Sequence, residues 1–344
     1  MSRIAVIGAG AWGTALAIVL GRKGSHQVRL WAREEEVRES ISARRMNELF
    51  LPGCQVPETV RATNDWKEAL TDAEMVVSVM PSHHCRALFA QMHEYLAPET
   101  SLVSATKGIE GESLMRMSEV ITDSLQRTRG FIPHIAALSG PTFAREVARG
   151  DPTAITVASP DAALAETIQR EFSDPRFRVY TNDDMVGVEL GGALKNVIAI
   201  AAGVCDGLGL GHNSTAALIT RGLAEITRLV VACGGRSETM AGLAGLGDLV
   251  LTCTGGLSRN RSVGVELGRG KKLPEIMAGM HGMVAEGVFT TGAAVGLARA
   301  RRVEMPITEQ MNAILHDGKA AGDAIHDLMT RTARSETGLY RNPG

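Results

Sequence analysis

The chain has 344 residues, 44% hydrophobic and 22% charged, the composition of an ordinary globular protein with room for two domains. Its formal net charge of −2 argues against nucleic acid or an anionic membrane as the main partner, and leaves local basic clusters to bind small anions. The 5 cysteines are widely spaced, so the sequence predicts neither a disulfide framework nor a metal site, and a reducing cytoplasm is the expected location.

The first predicted element is a short apolar strand, residues 4–7, that runs into a Gly-x-Gly-x-x-Gly turn and a helix. Gly8 permits the tight turn, Gly10 lets bare backbone approach a pyrophosphate, and Gly13 lets the helix pack closely on the sheet. The helix start offers N–H groups and a positive dipole end to phosphates. A signal sequence or membrane span is disfavoured, because glycines interrupt the apolar stretch and Arg3 is its lone basic flank. The sequence therefore predicts a dinucleotide site and no membrane span.

The second predicted strand, residues 27–31, ends just before Arg33, where a carboxylate that holds the ribose 2′-hydroxyl of NAD would be expected. An arginine can hold the 2′-phosphate of NADP through charge-assisted hydrogen bonds, whereas a carboxylate would repel it. NADPH is therefore the expected cofactor, with NAD as a second one. The alternative is an exposed ion pair between Arg33 and a glutamate at 34–36, which needs no functional reason.

Up to about residue 183, β-branched strands alternate with helical stretches, the pattern of an α/β domain with a parallel sheet. The later predicted strands are residues 75–79, 102–105, 135–138, 154–157 and 178–180. Because ligands bind at the carboxyl ends of parallel strands, the loops that follow are expected around a cofactor. These loops are Met80-Pro81-Ser82, Thr106-Lys107-Gly108 and Ser139-Gly140-Pro141-Thr142. Residues 1–183 are predicted to form the dinucleotide-binding domain.

From residue 184 the pattern changes to long apolar helices with no clear strand, so residues 184–344 are predicted as an all-α domain. Its first helix, from 185 to about 204, is apolar on nearly all sides and is expected to be buried.

Lys195 lies in the middle of that helix, where a charge is costly unless it is paired or used. Gly191 and Gly192 lie one turn earlier on the same face, and they are interpreted as leaving space for a ligand above the backbone. Lys195 is therefore the leading catalytic candidate. The alternative is a lysine whose stem packs and whose head reaches water.

Two later segments carry polar groups in apolar or glycine-rich surroundings. Asp248 is the natural counter-ion of a buried Lys195 and would orient its ammonium for proton transfer, although a helix N-cap is the alternative role. The segment from Gly255 to Ser262 joins flexible backbone to the hydroxyl, guanidinium and amide donors of Ser258-Arg259-Asn260-Arg261, in the manner of a small phosphate site. Surface basic clusters of this kind are common, and that reading also stays open.

Six motifs in this order closely resemble the bacterial NAD(P)-dependent glycerol-3-phosphate dehydrogenase family: residues 8–17, 104–110, 138–144, 189–196, 245–248 and 258–261. The resemblance extends from the first strand to about residue 306. It implies a Rossmann-type domain followed by an all-helical domain. The implied reaction is the reversible reduction of dihydroxyacetone phosphate to sn-glycerol 3-phosphate, for glycerophospholipid synthesis.

The same resemblance implies roles for individual residues. Lys195 matches the proton donor and acceptor, and Asp248 the acidic residue of the substrate site. Substrate or phosphate contacts are implied for Lys107, Gly140, Thr142, Ser258, Arg259 and Asn260. The cofactor contacts expected from the residues and the resemblance together are Gly8, Gly10, Trp12, Gly13, Arg33, Lys107, Ala144, Arg259, Val284 and Glu286. Ala11-Trp12 stands where some members of the family carry a hydroxyl residue followed by an aromatic, so a hydroxyl contact to the cofactor is lost while Trp12 can still stack or pack.

Two other functions stay open. One is a related two-domain dehydrogenase acting on a β-hydroxy acid, which would hold a substrate carboxylate instead of a phosphate. The other is a non-catalytic NADP-sensing module, for which Lys195 and Asp248 would be dispensable. The expected partner is a phosphorylated small molecule, and the sequence leaves open whether the chain acts as a monomer or as a homodimer.

Overall fold

The computed structural model describes residues 2–280, 284–333 and 335–336. The chain divides into two compact units: unit 1 is Met1–Lys107 with Met117–Met185, and unit 2 is Gly108–Arg116 with Val186–Gly344. Each unit has its own hydrophobic core. The excursion Gly108–Arg116 belongs to unit 2 because Ile109 is buried in that core.

Unit 1 is built on an eight-stranded sheet. Its strands are β1 (Ser2–Ile7), β2 (His26–Trp31), β5 (Val60–Thr63), β6 (Met75–Ser78), β7 (Ser101–Ser104), β8 (His134–Ser139), β9 (Thr153–Ala158) and β10 (Phe177–Asn182). The spatial order is β10-β9-β8-β7-β6-β1-β2-β5. Neighbouring strands run parallel, except that β8 and β9 are antiparallel. A separate antiparallel pair is formed by β3 (Met46–Asn47) and β4 (Leu51–Gln55).

The seven strands predicted from the sequence are all present. The prediction missed β5, which is four residues long, lies at the sheet edge and carries the exposed Arg61. It also missed the small β3–β4 sheet, whose strands are short and include Pro52 and Gly53. Short strands with polar or strand-breaking residues lack the apolar alternation by which strands are predicted.

Helices cover the sheet of unit 1. They are α1 (Ala11–Arg22), α2 (Glu35–Arg44), α3 (Trp66–Leu70), α4 (Cys85–Met92), α5 (Met117–Arg129), α6 (Ala144–Arg149) and α7 (Ala162–Phe172). Local capping explains where some of them begin. The side chain of Asp65 accepts a hydrogen bond from the Glu68 backbone at the start of α3, and Asp161 accepts two from the first turn of α7.

The described part of unit 2 is helical. Its helices are α8 (Met185–Gly207), α9 (His212–Ala232), α10 (Ser237–Met240), α11 (Asp248–Thr254), α12 (Arg259–Gly268), α13 (Leu273–Ala278), α14 (Glu286–Ala300), α15 (Pro306–His316) and α16 (Ala321–Met329). A π-helical turn, Leu243–Gly247, leads directly into α11. The predicted fold class, a Rossmann-type sheet domain followed by an all-α domain, is confirmed.

Helix α8 forms the centre of unit 2. Among the described residues it is the one helix long and apolar enough to cross a membrane, and its apolar window is wholly buried inside the protein. It packs very closely on α12: a Cβ on Gly264 would collide with the carbonyl oxygen of Ile200, and one on Gly203 with that of Arg261. Glycine is required at this crossing because the two backbones touch. The N-terminal residues of α12 are thereby held beside α8.

Glu225 on α9 is a buried carboxyl group that anchors the start of α15. It is 2% exposed and accepts hydrogen bonds from the backbone N–H groups of Ile307 at 2.7 Å and Thr308 at 3.3 Å. Burial raises the pKa of Glu225 to about 7, although these donors and the charge of Arg228 favour the ionised form.

We expect Glu225→Gln to weaken the pH dependence of stability. The carboxyl group ionises at 4.5 when unfolded and at about 7 when folded, so the native state holds an extra proton between these values and loses stability as the pH rises through them. From pH 5 to pH 8 the variant should gain on the order of 2 kcal/mol relative to the parent. Thermal unfolding of both proteins at the two pH values measures this. An unchanged difference in Tm between variant and parent would contradict the raised pKa.

Candidate active site

The glycine-rich turn joins β1 to α1. Gly8 has φ +115°, and a Cβ there would collide with the carbonyl oxygen of Val79, while a Cβ on Gly13 would collide with the carbonyl oxygen of Gly8. At Gly10, by contrast, no atom lies within 4 Å of such a Cβ, and no side chain caps α1. The packing of unit 1 therefore requires Gly8 and Gly13, whereas Gly10 leaves open space beside the helix start that fits a pyrophosphate.

Two side chains that follow Gly10 in the sequence, Trp12 and Arg33, were also expected at the cofactor. The guanidinium of Arg33 forms an ion pair with Glu34, Nη2 to Oε1 3.0 Å, and its side chain is 68% exposed. This is the exposed pair that the sequence analysis gave as the alternative. Such pairs contribute at most about 1 kcal/mol, so Glu34 leaves the arginine able to bind an anion, and the NADP role stays a prediction. Trp12 packs against the core of unit 1, as does Ala144 at the start of α6.

The loops after β7 and β8 meet at one carbonyl group. Lys107 Nζ donates a hydrogen bond to the Gly140 carbonyl oxygen at 3.1 Å, and the Thr142 hydroxyl donates to the same oxygen at 3.2 Å. Gly140 itself packs closely on β9, since a Cβ there would lie 3.1 Å from Ile155 Cα. The structure thus brings together Lys107, Gly140 and Thr142, the three residues of unit 1 that were expected to contact the substrate.

Lys195 on α8 has two buried partners on α11. Its Nζ donates to Asp248 Oδ1 at 2.5 Å and to Thr252 Oγ1 at 2.6 Å. The Thr252 hydroxyl in turn donates to the backbone carbonyl of Asp248 at 2.6 Å. Lys195 is 6% exposed and Asp248 is 0% exposed. At this depth the ammonium and the carboxylate stabilise each other, because either alone would be a buried unpaired charge.

Gly191, one turn before Lys195, does not leave room for a ligand. A Cβ there would lie 2.7 Å from the carbonyl oxygen of Ala244 and 2.9 Å from Met240 Cε. The interpretation of this glycine as ligand space is therefore corrected. Gly191 lets the segment before α11 approach α8, which brings Asp248 within reach of Lys195.

The start of α12 lies beside α8 and the start of α14. Ser258 caps α12 by accepting a hydrogen bond from the backbone N–H of Arg261 at 3.2 Å. Asn260 Nδ2 donates to Asn196 Oδ1 at 2.9 Å, and its Oδ1 accepts from the Gly287 backbone at 2.9 Å. Asn260 therefore connects three helices, one of them at the residue next to Lys195.

Arg259, between these two anchored residues, remains exposed. Its Nη1 donates to the Val284 carbonyl oxygen at 3.3 Å. Partial desolvation lowers the pKa of the guanidinium, and the carboxylate of Glu286 opposes this effect. The structure therefore brings Arg259, Val284 and Glu286 together, three residues that were expected at the cofactor.

Two sequence models, described as the N-terminus and the C-terminus of NAD-dependent glycerol-3-phosphate dehydrogenase, match residues 3–165 and 184–326. The chain belongs to this family. A glycerol-3-phosphate dehydrogenase [NAD(P)+] from Koribacter versatilis is 69% identical over 98% of this chain and 100% of its own length. The crystal structure of glycerol-3-phosphate dehydrogenase from Coxiella burnetii has 42% identity and a TM-score of 0.91, covering 96% of this chain and 99% of that one.

A more distant similarity concerns the rival function. A ketopantoate reductase from Ralstonia eutropha aligns with a TM-score of 0.61 but 16% identity, over 94% of this chain and 100% of its own. At that identity the match shows a shared fold and says nothing of the substrate.

Sequence reasoning missed two contacts that support α8 in this chain. Thr252 could have been found, since it lies four residues after Asp248 and thus on the same helix face. The buried ion pair between Arg116 and Glu189, 2.6 Å, could not, because 73 residues separate them. It ties the excursion Gly108–Arg116 to α8.

The thiols and the metal-ligating side chains are the remaining reactive groups of the chain. All 5 cysteines are free, and burial raises the pKa of Cys253, next to Thr252, to about 12, which keeps that thiol protonated. Within residues 2–280, 284–333 and 335–336, no group of three or more His, Cys, Asp or Glu side chains could hold a metal ion.

We expect Asp248→Asn to destabilise the protein by about 3 kcal/mol or more, because it leaves the Lys195 ammonium buried without its counter-charge. Adding Lys195→Met removes that charge, so the double variant should recover part of the loss. Thermal unfolding of the parent, both single variants and the double variant measures the coupling. If the losses of the two single variants simply added in the double variant, the two residues would not act as an ion pair.

Proposed function

We propose that this chain is an NAD(P)-dependent sn-glycerol-3-phosphate dehydrogenase that interconverts dihydroxyacetone phosphate and sn-glycerol 3-phosphate. Family membership over both halves of the chain supports the reaction. The observation that carries it is the buried Lys195 ammonium, held by Asp248 and Thr252 in a largely apolar helix. A protein that only sensed the cofactor would have no need of a buried, paired ammonium.

Lys195 is the proposed proton donor. When bound, the cofactor would supply the hydride that reduces the central carbonyl carbon of the substrate. Negative charge then develops on the carbonyl oxygen, and Lys195 Nζ transfers a proton to it, forming the hydroxyl group. In the reverse direction the neutral amine accepts that proton. Asp248 stabilises the ammonium form and, with Thr252, fixes the position of Nζ, which favours transfer along one direction.

Lys107 is proposed to polarise the same carbonyl oxygen or to hold the substrate in place. Its hydrogen bond to the Gly140 carbonyl sets the direction of the side chain, and Thr142 shares that carbonyl. A second cation near the developing oxyanion would add to transition-state stabilisation.

The segment 258–260 is proposed to bind the substrate phosphate, with Arg259 as the charged contact. Ser258 and Asn260 hold the segment in place through the N-cap and through the bonds to Asn196 and Gly287. Arg259 itself is exposed and offers a planar set of donors, the geometry that suits a phosphate. Binding energy at the phosphate, remote from the reacting carbon, can be used to fix the substrate.

We propose that the glycine turn and Arg33 hold the two phosphate-bearing parts of the nucleotide. The open backbone at Gly10, framed by Gly8 and Gly13, takes the pyrophosphate, and Arg33 takes the 2′-phosphate, so NADPH is preferred over NADH. Further contacts are assigned to Trp12, Lys107, Ala144, Arg259, Val284 and Glu286.

We also propose the cellular setting of the enzyme. With sn-glycerol 3-phosphate as product, the reaction supplies glycerophospholipid synthesis in the cytoplasm. The nucleotide domain is assigned to residues 1–183 and the substrate domain to 184–344, with the excursion Gly108–Arg116 packed in unit 2. A homodimer is proposed as the oligomeric state, and the molar mass in solution tests it.

The test of the function follows NADPH absorbance on addition of dihydroxyacetone phosphate, with NADH in parallel. We expect rapid oxidation of NADPH and slower oxidation of NADH. A 2-oxo acid such as ketopantoate serves as the rival substrate. Turnover of the oxo acid without turnover of dihydroxyacetone phosphate would overturn the proposal.

We expect Lys195→Met to lower the rate at least ~10²-fold, because the positioned proton donor is lost. NADPH binding, measured by fluorescence titration, should stay close to that of the parent. Lys319→Met is the matched control, since Lys319 is also paired with a carboxylate of unit 2, that of Asp327, but is not part of the proposed site. Activity of Lys195→Met within a few-fold of the parent would remove Lys195 from the mechanism.

We expect Arg259→Ala to lower kcat/KM for dihydroxyacetone phosphate by ~10–100-fold, the effect of losing a charge-assisted hydrogen bond to phosphate. The reaction of unphosphorylated dihydroxyacetone should change far less, since it has no group for the arginine to hold. Arg269→Ala is the control: Arg269 directly follows α12 and pairs with Glu266 at the surface. Equal losses with both substrates would show that Arg259 shapes the site or holds the cofactor.

A further inference from the structure

Asn47 is a buried polar residue that the sequence analysis did not single out. It lies on β3, in the small two-stranded sheet, and is 0% exposed. Its Nδ2 donates to the carbonyl oxygen of Ala9 and to Thr14 Oγ1, both at 2.8 Å. Its Oδ1 accepts from the backbone N–H of Phe50 at 3.1 Å. The side chain thus connects the β3–β4 hairpin to the glycine-rich turn.

The carbonyl of Ala9 belongs to the peptide group whose N–H is that of Gly10. In a planar trans peptide the C=O and N–H bonds point in opposite directions. By holding the carbonyl oxygen toward β3, Asn47 directs the Gly10 N–H to the opposite side. Gly10 is also the one glycine of the Gly-x-Gly-x-x-Gly turn at which a Cβ would have open space around it.

Thr14 on α1 is hydrogen-bonded both to the Ala9 carbonyl and to the Asn47 side chain. Its hydroxyl donates to the Ala9 carbonyl at 3.3 Å and accepts from Asn47. The Ala9 carbonyl therefore has two side-chain donors, one from the helix that follows the turn and one from a hairpin more than thirty residues away. Without these donors the Ala9–Gly10 peptide would rotate more readily, because glycine leaves the φ angle of residue 10 nearly unrestricted.

The β3–β4 hairpin, which carries Asn47, is held in place by the neighbouring Arg45. Arg45, just before β3, donates to the carbonyl oxygens of Val56 at 3.2 Å and Val60 at 2.9 Å, and also to that of Pro57. Val60 is the first residue of β5, the edge strand of the main sheet. The hairpin that carries Asn47 is therefore also held by contacts outside the glycine-rich turn.

We propose that Asn47 is a positioning residue for the cofactor: it fixes the Ala9–Gly10 peptide so that the Gly10 N–H is oriented for the nucleotide pyrophosphate before binding. The inference rests on the proposed function, since it takes the glycine turn as the nucleotide site. Ordering the peptide in advance lowers the entropy lost on binding and so strengthens nucleotide affinity. Asn47 acts through the backbone and has no part in proton transfer.

The test uses Asn47→Asp, which has nearly the same shape and can still accept from Phe50, but cannot donate to Ala9 or Thr14. We expect the Kd for NADPH, titrated by fluorescence without substrate, to rise at least ~10-fold, as for loss of a buried hydrogen-bond donor. KM for NADPH should rise in parallel, while kcat and KM for dihydroxyacetone phosphate stay within a few-fold. In the cofactor-free protein, amide exchange at residues 8–10 should accelerate.

Thr59→Val is the matched control. The Thr59 hydroxyl donates to the carbonyl of Gly21 at 2.8 Å, near the opposite end of α1, so this variant loses a bond to the same helix away from the turn. It should lower Tm without changing the Kd for NADPH. If Asn47→Asp lowers Tm in the same way and leaves that Kd unchanged, Asn47 is merely structural and the inference is overturned.

A second variant guards against failure of Asn47→Asp to fold. Thr14→Val removes the hydroxyl that donates to the Ala9 carbonyl and accepts from Asn47. It should raise the Kd for NADPH by a smaller factor than Asn47→Asp does, whereas Thr14→Ser should keep the Kd of the parent. An unchanged Kd in Thr14→Val also counts against the inference. A parent that binds NADPH without reducing dihydroxyacetone phosphate would refute the proposed function alone, and a parent that does not bind NADPH would refute both.

Discussion

The buried ammonium of Lys195 is the constraint on which the arrangement of unit 2 depends. An unpaired charge at that depth would cost several kcal/mol, so a carboxylate must reach it from another helix. Asp248 does so because Gly191 lets the preceding segment approach α8 closely. Lys195 cannot then be changed without leaving Asp248 buried and unpaired, which ties the stability of this helix contact to the group proposed for catalysis.

In the glycine turn of unit 1, side chains from other segments likewise hold a polar group, in this case a backbone carbonyl. There a carbonyl group, not a charge, is held by side chains from outside the turn: Asn47 and Thr14 both donate to Ala9. The Gly140 carbonyl is held in the same way by Lys107 and Thr142. In both loops, side chains fix the direction of a peptide group whose glycine would otherwise permit several conformations.

The glycines show how residues of one type serve different purposes. Gly8 and Gly13 are needed because the chain packs against itself, and Gly10 leaves open space. Gly191 was interpreted as open space for a ligand, yet a neighbouring segment of the chain fills it. A sequence shows that a side chain is absent, but only the positions of distant residues show what takes its place.

The sequence by itself determined seven of the eight strands of the main sheet, the change from α/β to all-α near residue 184, the family, and the residues expected to carry the chemistry. Strand and helix patterns arise from local periodicity, and the family motifs are short runs, so both can be read along the chain. Only the tertiary structure decided that Arg116 pairs with Glu189, that Asn260 connects three helices, and that Asn47 holds the glycine turn. These contacts join residues far apart in sequence, and their geometry depends on how helices and sheets pack, which no local pattern records.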